Sequence, residues 1–100
     1  MLEWLQQWYN TQCDGDWEHE YGVKITTIDN PGWSVVIDLT GTKLEGIEVP
    51  YKLEEISPDV WRSYSITKDV FDAGCSPSEL LSLIKVFKKI WEQYDENKSR

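Results

Sequence analysis

The chain has 100 residues, with 18 acidic and 10 basic side chains and a formal net charge of −8. That length supports one modest hydrophobic core, so a single domain over residues 1–100 is expected. The acidic excess repels nucleic acid and anionic membrane surfaces and draws basic partners in.

Residues 2–12 read as a helix. Leu2, Leu5, Trp8 and Tyr9 follow helical spacing, Trp4 widens the stripe, and Glu3, Gln6, Gln7 and Asn10 take the opposite side. Asp14-Gly15 stops the helix, because glycine is free to take a left-handed cap. A compact acidic loop follows. Asp14, Asp16, Glu18 and Glu20 surround Trp17 and His19, and no lysine or arginine precedes Lys24. Residues 1–23 therefore carry five acids and no base, and the acidic excess is concentrated there.

Gly22 opens a first strand over about residues 23–29. Pro31-Gly32 predicts a turn, proline presetting φ and glycine accepting the positive φ of a type II turn. A second strand spans residues 33–40. Trp33, Val35, Ile37 and Leu39 face a core, and Ser34, Val36, Asp38 and Thr40 face water or a partner. The loop from Thr40 to Gly46 leads to a third strand, about residues 47–55, with Ile47, Val49, Tyr51 and Leu53 in alternation. Pro50 cannot donate to a ladder, so this strand is expected at an edge or with a bulge.

Ser57-Pro58-Asp59 turns the chain into a fourth strand, about residues 60–68, with Tyr64 and Ile66 inward. Trp61 is out of phase and marks either a bulge or an exposed aromatic. Val70 and Phe71 lead into Ala73-Gly74-Cys75. Ser76-Pro77-Ser78-Glu79 has the pattern of a helix start, with Ser76 as cap, Pro77 at the first helical position and Glu79 closing a capping box. Leu80, Leu83, Ile84, Phe87, Ile90 and Trp91 form a stripe that ends at Tyr94. Lys85, Lys88 and Lys89 lie toward the C-terminal half, where the helix dipole favours them. Residues 95–100 read as a frayed polar tail. The expected fold is α+β: a four-stranded antiparallel meander with an N-terminal and a C-terminal helix on one face, a two-layer sandwich.

Two cysteines, Cys13 and Cys75, do not make a disulfide framework, and no charged n-region with an apolar h-region stands at the front of the domain. No apolar run approaches membrane-spanning length. A reduced cytoplasmic setting with free thiols is expected. Asp14-Gly15-Asp16-Trp17-Glu18 begins like a calcium loop, but Trp17 interrupts it and no bidentate glutamate follows at loop spacing. His19 alone is a weak ligand, so neither a metal nor a cofactor is expected. A thiol enzyme needs an activated cysteine. Cys13 sits among acids, and Cys75 precedes a helix start that offers no arginine or histidine. No Ser/His/Asp set and no phosphate-binding glycine loop stands out. A binding protein remains, in which an acidic surface with aromatic anchors suits a basic target. The alternative is a small thiol-dependent enzyme, sulfurtransferase-like, using Cys13 or Cys75.

Residues 8–42, WYNTQCDGDWEHEYGVKITTIDNPGWSVVIDLTGT, resemble the N-terminal signature of the immunity protein 53 family of bacterial polymorphic toxin systems. The specific elements are the run from Gln12 to His19, the run from Asp29 to Trp33, and Asp38-Leu39-Thr40-Gly41-Thr42. Trp61, Phe71 and the C-terminal helix are in keeping. The resemblance implies a small cytoplasmic protein that binds and neutralises a cognate toxin, usually encoded beside it; no catalysis, nucleic acid, membrane or small-molecule substrate is expected. Many such toxins are nucleases with basic grooves, to which an acidic inhibitor is complementary. Asp14, Asp16, Trp17, Glu18 and Glu20 are the expected toxin-binding residues, with Trp17 and Trp33 equally able to serve the fold.

Overall fold

The computed structural model describes residues 1–98, with side chains to residue 94. In chain order the elements are α1 (Leu2–Gln12), α2 (Trp17–Glu20), β1 (Val23–Ile28), β2 (Gly32–Asp38), β3 (Val49–Ser57), β4 (Val60–Thr67), β5 (Val70–Cys75) and α3 (Leu80–Lys98). The fold is α+β with an open antiparallel sheet, as expected, but the sheet has five strands rather than four, in the order β1-β2-β5-β4-β3.

The additional strand is β5, and it is not at the margin of the sheet. It lies between β2 and β4 and pairs antiparallel with both. Phe71, Ala73 and Cys75 point into the core, while Asp72 faces out. Alanine, glycine and aspartate are depleted in strands, so the segment reads poorly in isolation; two neighbouring ladders impose its conformation. The arrangement is therefore not a meander. A β1-β2 hairpin and a β3-β4-β5 meander are joined by the β2-β5 pairing.

The hairpin turn occupies residues 29–31, because Ile28 pairs with Gly32. Gly32 belongs to β2, and it is not among the residues with positive φ. What requires glycine there is proximity: an added Cβ would lie 2.2 Å from the carbonyl oxygen of Cys75.

Both helices cover one face of the sheet. α3 packs on β5 and α1 packs on α3. Phe87 is the hub, in ring contact with Trp4, Trp8, Phe71 and Trp91. Leu5 and Trp8 are the buried members of the α1 stripe, whereas Leu2 and Tyr9 are exposed. Trp8 meets Trp17, Phe87 and Trp91 edge-on, with centroids 5.1–6.1 Å apart, the arrangement favoured by ring quadrupoles.

Three further expectations are corrected. First, the alternation expected from Ile47 to Leu53 is broken: Ile47 and Val49 pack against the core, whereas Tyr51 and Leu53 are 68% and 52% exposed. β3 is an edge strand and it also bulges, its register shifting between Val49 and Lys52 around Pro50. An inserted residue reverses the faces that follow. Beyond the bulge Lys52 and Glu54 lie opposite Tyr64 and Arg62, on the helix side. Second, Ser76 does not cap α3, which begins at Leu80. Its hydroxyl accepts from the Trp61 amide at 3.1 Å and its own amide donates to the Trp61 carbonyl, extending the β4-β5 ladder. The Glu79 carboxylate takes a bond from Arg62 at 2.8 Å instead of closing a box. Third, the expected frayed tail is helical as far as Lys98, and its last two residues lie outside the described residues. The out-of-phase Trp61 is half-buried on the face away from the helices, within 3.9 Å of a Cβ built on Gly74.

Candidate functional site

The acidic loop begins where α1 runs out of carbonyl partners. The Cys13 amide still bonds back to Tyr9 and Asn10, and its thiol donates to the Tyr9 carbonyl at 3.3 Å. Gly15 then takes φ +97, a conformation side chains other than glycine resist. A loop this tight has few backbone acceptors, so its amides must find side chains. Two of the four acids meet that need. Asp14 Oδ1 accepts from the amides of Asp16 at 3.0 Å and Trp17 at 2.9 Å, where the single turn of α2 begins. Glu18 reaches back and accepts from the amides of Asp14 at 3.0 Å and Gly15 at 2.9 Å.

These bonds favour the ionised forms. The Trp17 amide, then that of Asp16, holds Asp14 below the ordinary carboxylate value. Glu18 is lowered by its own backbone amide first, and by those of Asp14 and Gly15.

Trp17 is a core residue, 6% exposed. Its indole N–H donates to the Thr40 carbonyl at 2.8 Å, tying the loop to the chain beyond β2. Asp38 adds a second tie by accepting from the Gly22 amide at 3.0 Å. Trp33 also serves the fold, half-buried with its N–H on the Pro77 carbonyl at 3.0 Å. The remaining acids, Asp16 and Glu20, are exposed and have no ion-pair partner among the described residues. With His19, Tyr21 and Gly41 they rim an open depression of about 400 Å³ floored by Trp17. The structure thus brings all five expected residues to one place and divides them: Asp14, Glu18 and Trp17 build the loop, and Asp16 and Glu20 face outward.

Cys75 is fully buried at the end of β5, and burial pushes its thiol pKa up, opposite to what a nucleophile needs. Cys13 is half-buried. Among the described residues no group of three or more His, Cys, Asp or Glu is placed to hold a metal ion, and no helix is long and apolar enough to cross a membrane.

One exposed region was not foreseen. Tyr51, Leu53 and Ile56, all on the edge strand β3, are more than half exposed, Ile56 at 59%. Pro50 is the signal that could have found it, since a bulge there reverses the alternation beyond.

The family model described as immunity protein 53 matches residues 2–92, nearly the whole chain. No curated protein and no solved structure matches. The chain belongs to the immunity protein 53 family.

Proposed function

We propose that this member of the immunity protein 53 family binds a cognate toxin of a bacterial polymorphic toxin system and neutralises it by protein–protein contact in the cytoplasm, without catalysis. The acidic loop is the surface that meets the toxin. The observation that carries this reading is the division of labour within the loop. Asp16 and Glu20 stand free at the rim of a depression whose floor and backbone are fixed by Trp17, Asp14 and Glu18. Charges on a braced base lose little freedom when a partner docks. All four carboxylates contribute to the field, and no lysine or arginine precedes Lys24 in the chain.

The matching toxin surface is basic. If the toxin is a nuclease, that surface is the groove that would otherwise hold phosphates, and the loop competes for it. Burial of Cys75 supports a binding role over thiol chemistry.

Co-expression with the toxin encoded beside it tests the function, the expected result being relief of growth arrest. The surface is tested by replacing Asp16 with Asn and Glu20 with Gln, which leaves the bracing Glu18 in place. Rim charges act mainly on association. The association rate should fall about tenfold at low salt and converge with wild type as salt rises. Unchanged rates at low salt, with the fold intact, would move the interface elsewhere.

A further inference from the structure

Strands β3 and β4 and the flank of α3 border a groove that the core does not fill. α3 makes its main sheet contact with β5, two strands inward from β3. The resulting gap has two consecutive parts. One, of about 220 Å³, is lined by Arg62, Ser82, Lys85, Val86 and Lys89. The other, of about 430 Å³, has Tyr51, Tyr64, Ile90 and Tyr94 among its walls. On α3 the lining positions recur at intervals of three and four, so they are one helical stripe. Arg62 and Tyr64 are alternate residues on one face of β4. The two parts therefore follow one another along the same flank of α3, cationic at one end of the groove and aromatic at the other.

The charges at the cationic end are unequal. Arg62 is committed to Glu54 and Glu79, and Lys52 lies 3.5 Å from Glu54. Lys85 and Lys89 are exposed and have no ion-pair partner among the described residues. In a chain of net charge −8 they make a local positive wall. Among the described residues no strand pairs with the outer side of β3, so it also offers backbone N–H and C=O groups.

We propose that this groove receives an extended segment of the toxin, which adds to β3 as a further strand. The segment places a carboxylate against Lys85 and Lys89 and, two residues further on, an aromatic or aliphatic side chain between Tyr64, Ile90 and Tyr94. The spacing follows from the helix. The midpoints of Lys85/Lys89 and Ile90/Tyr94 are five residues apart, roughly 7–8 Å at 1.5 Å per residue. Alternate side chains of a strand are separated by about 6.6–6.8 Å. The direction follows from the register. Glu54 pairs with Arg62 at the cationic end and Lys52 with Tyr64 at the aromatic end. A strand running antiparallel to β3, the slightly more stable sense, meets the lysines first. Pro50 and the bulge beside it confine regular pairing to the middle of β3, and the like charge of two copies opposes self-association through this edge. This inference rests on the toxin as partner and adds a contact apart from the acidic loop.

The test has two arms. In the first, a labelled peptide, Thr-Val-Thr-Asp-Thr-Phe-Thr-Val-Thr, is titrated against the whole protein by fluorescence anisotropy. Amide shifts on binding should concentrate in β3 and the α3 flank. Replacing the peptide Asp by Asn, or introducing Lys85→Glu with Lys89→Glu, should weaken binding about tenfold, the scale of a charge-assisted bond. The double variant should prefer a peptide with Lys in place of Asp. Absence of binding, indifference to the Asp, shifts located elsewhere, or a dimer dissolved by Leu53→Lys in place of peptide binding would each overturn the groove. In the second arm, the toxin should dissociate about tenfold faster from the double variant, whose melting should match wild type. A toxin indifferent to the double variant, with peptide binding intact, overturns the toxin as occupant. A toxin that fails to bind wild type overturns the partner in both proposals, whereas a failed peptide overturns the groove alone.

Discussion

The acidic loop and the edge strand β3 use their side chains in opposite ways. The loop has the denser chemistry, with four carboxylates and a tryptophan in seven residues, yet most of it is consumed locally: Asp14 and Glu18 serve backbone amides, and Trp17 fills the core. On β3 the inner side of the backbone is served by the ladder to β4, and Tyr51, Leu53 and Ile56 stand exposed. The difference teaches where to look for a binding surface. A loop must satisfy its own amides with side chains, whereas a strand leaves its side chains free. Residues that stand out by type are therefore weaker pointers than residues left over once the fold is satisfied.

The contrast breaks most sharply at Trp17. Trp17→Ala removes a buried ring and the bond to Thr40, and should destabilise by about 3–5 kcal/mol in urea unfolding. Net stability for such a domain is only about 5–15 kcal/mol, so a loss below about 1 kcal/mol would return Trp17 to the surface. A smaller effect is expected at Asp14, and pH resolves it. Its pKa is depressed in the fold, so its stabilisation is complete above the ordinary aspartate value of about 3.9 and is lost as pH falls through the lower folded value. Asp14→Ala should melt below wild type at neutral pH, and the two melting curves should converge on acidification below about pH 4. A gap independent of pH would mean that the carboxylate does not act as a charged acceptor. The smallest effect belongs to β3. Leu53→Ser should change stability by no more than about 0.5 kcal/mol, because its side chain leaves nothing unfilled. A larger loss would show that the edge is part of the fold after all.

Much of this architecture was legible in the sequence, for identifiable reasons. The first helix, the β1-β2 hairpin and the aromatic stripe of α3 are set by local periodicity, and periodicity survives into the structure. Pro50 pointed to an edge or a bulge, and β3 has both. What failed depended on partners distant in sequence. Asp72, Ala73 and Gly74 form a strand only because β2 and β4 flank them. Ser76 matched a helix cap by pattern, yet the nearby Trp61 backbone claims its hydroxyl. The alternation of Ile47, Val49, Tyr51 and Leu53 does not continue through the strand, because the bulge at Pro50 reverses every side chain beyond it. For the candidate site, the loop's location was legible from its acids, whereas which acids it spends on itself depends on how the chain closes around Gly15.

The insertion of β5 between β2 and β4 also orders events in time. Trp33 pairs with Cys75 and Asp38 with Val70, so the middle of the sheet is made from contacts far apart in the chain, which are slow to form. During synthesis the β1-β2 hairpin emerges early, with Val35 and Ile37 uncovered along an edge that nothing yet occupies. The strand that closes this edge, and the helix carrying Phe87 that covers it, are made last. Little of the core can consolidate before β5 and α3 are made, so the domain folds as one unit.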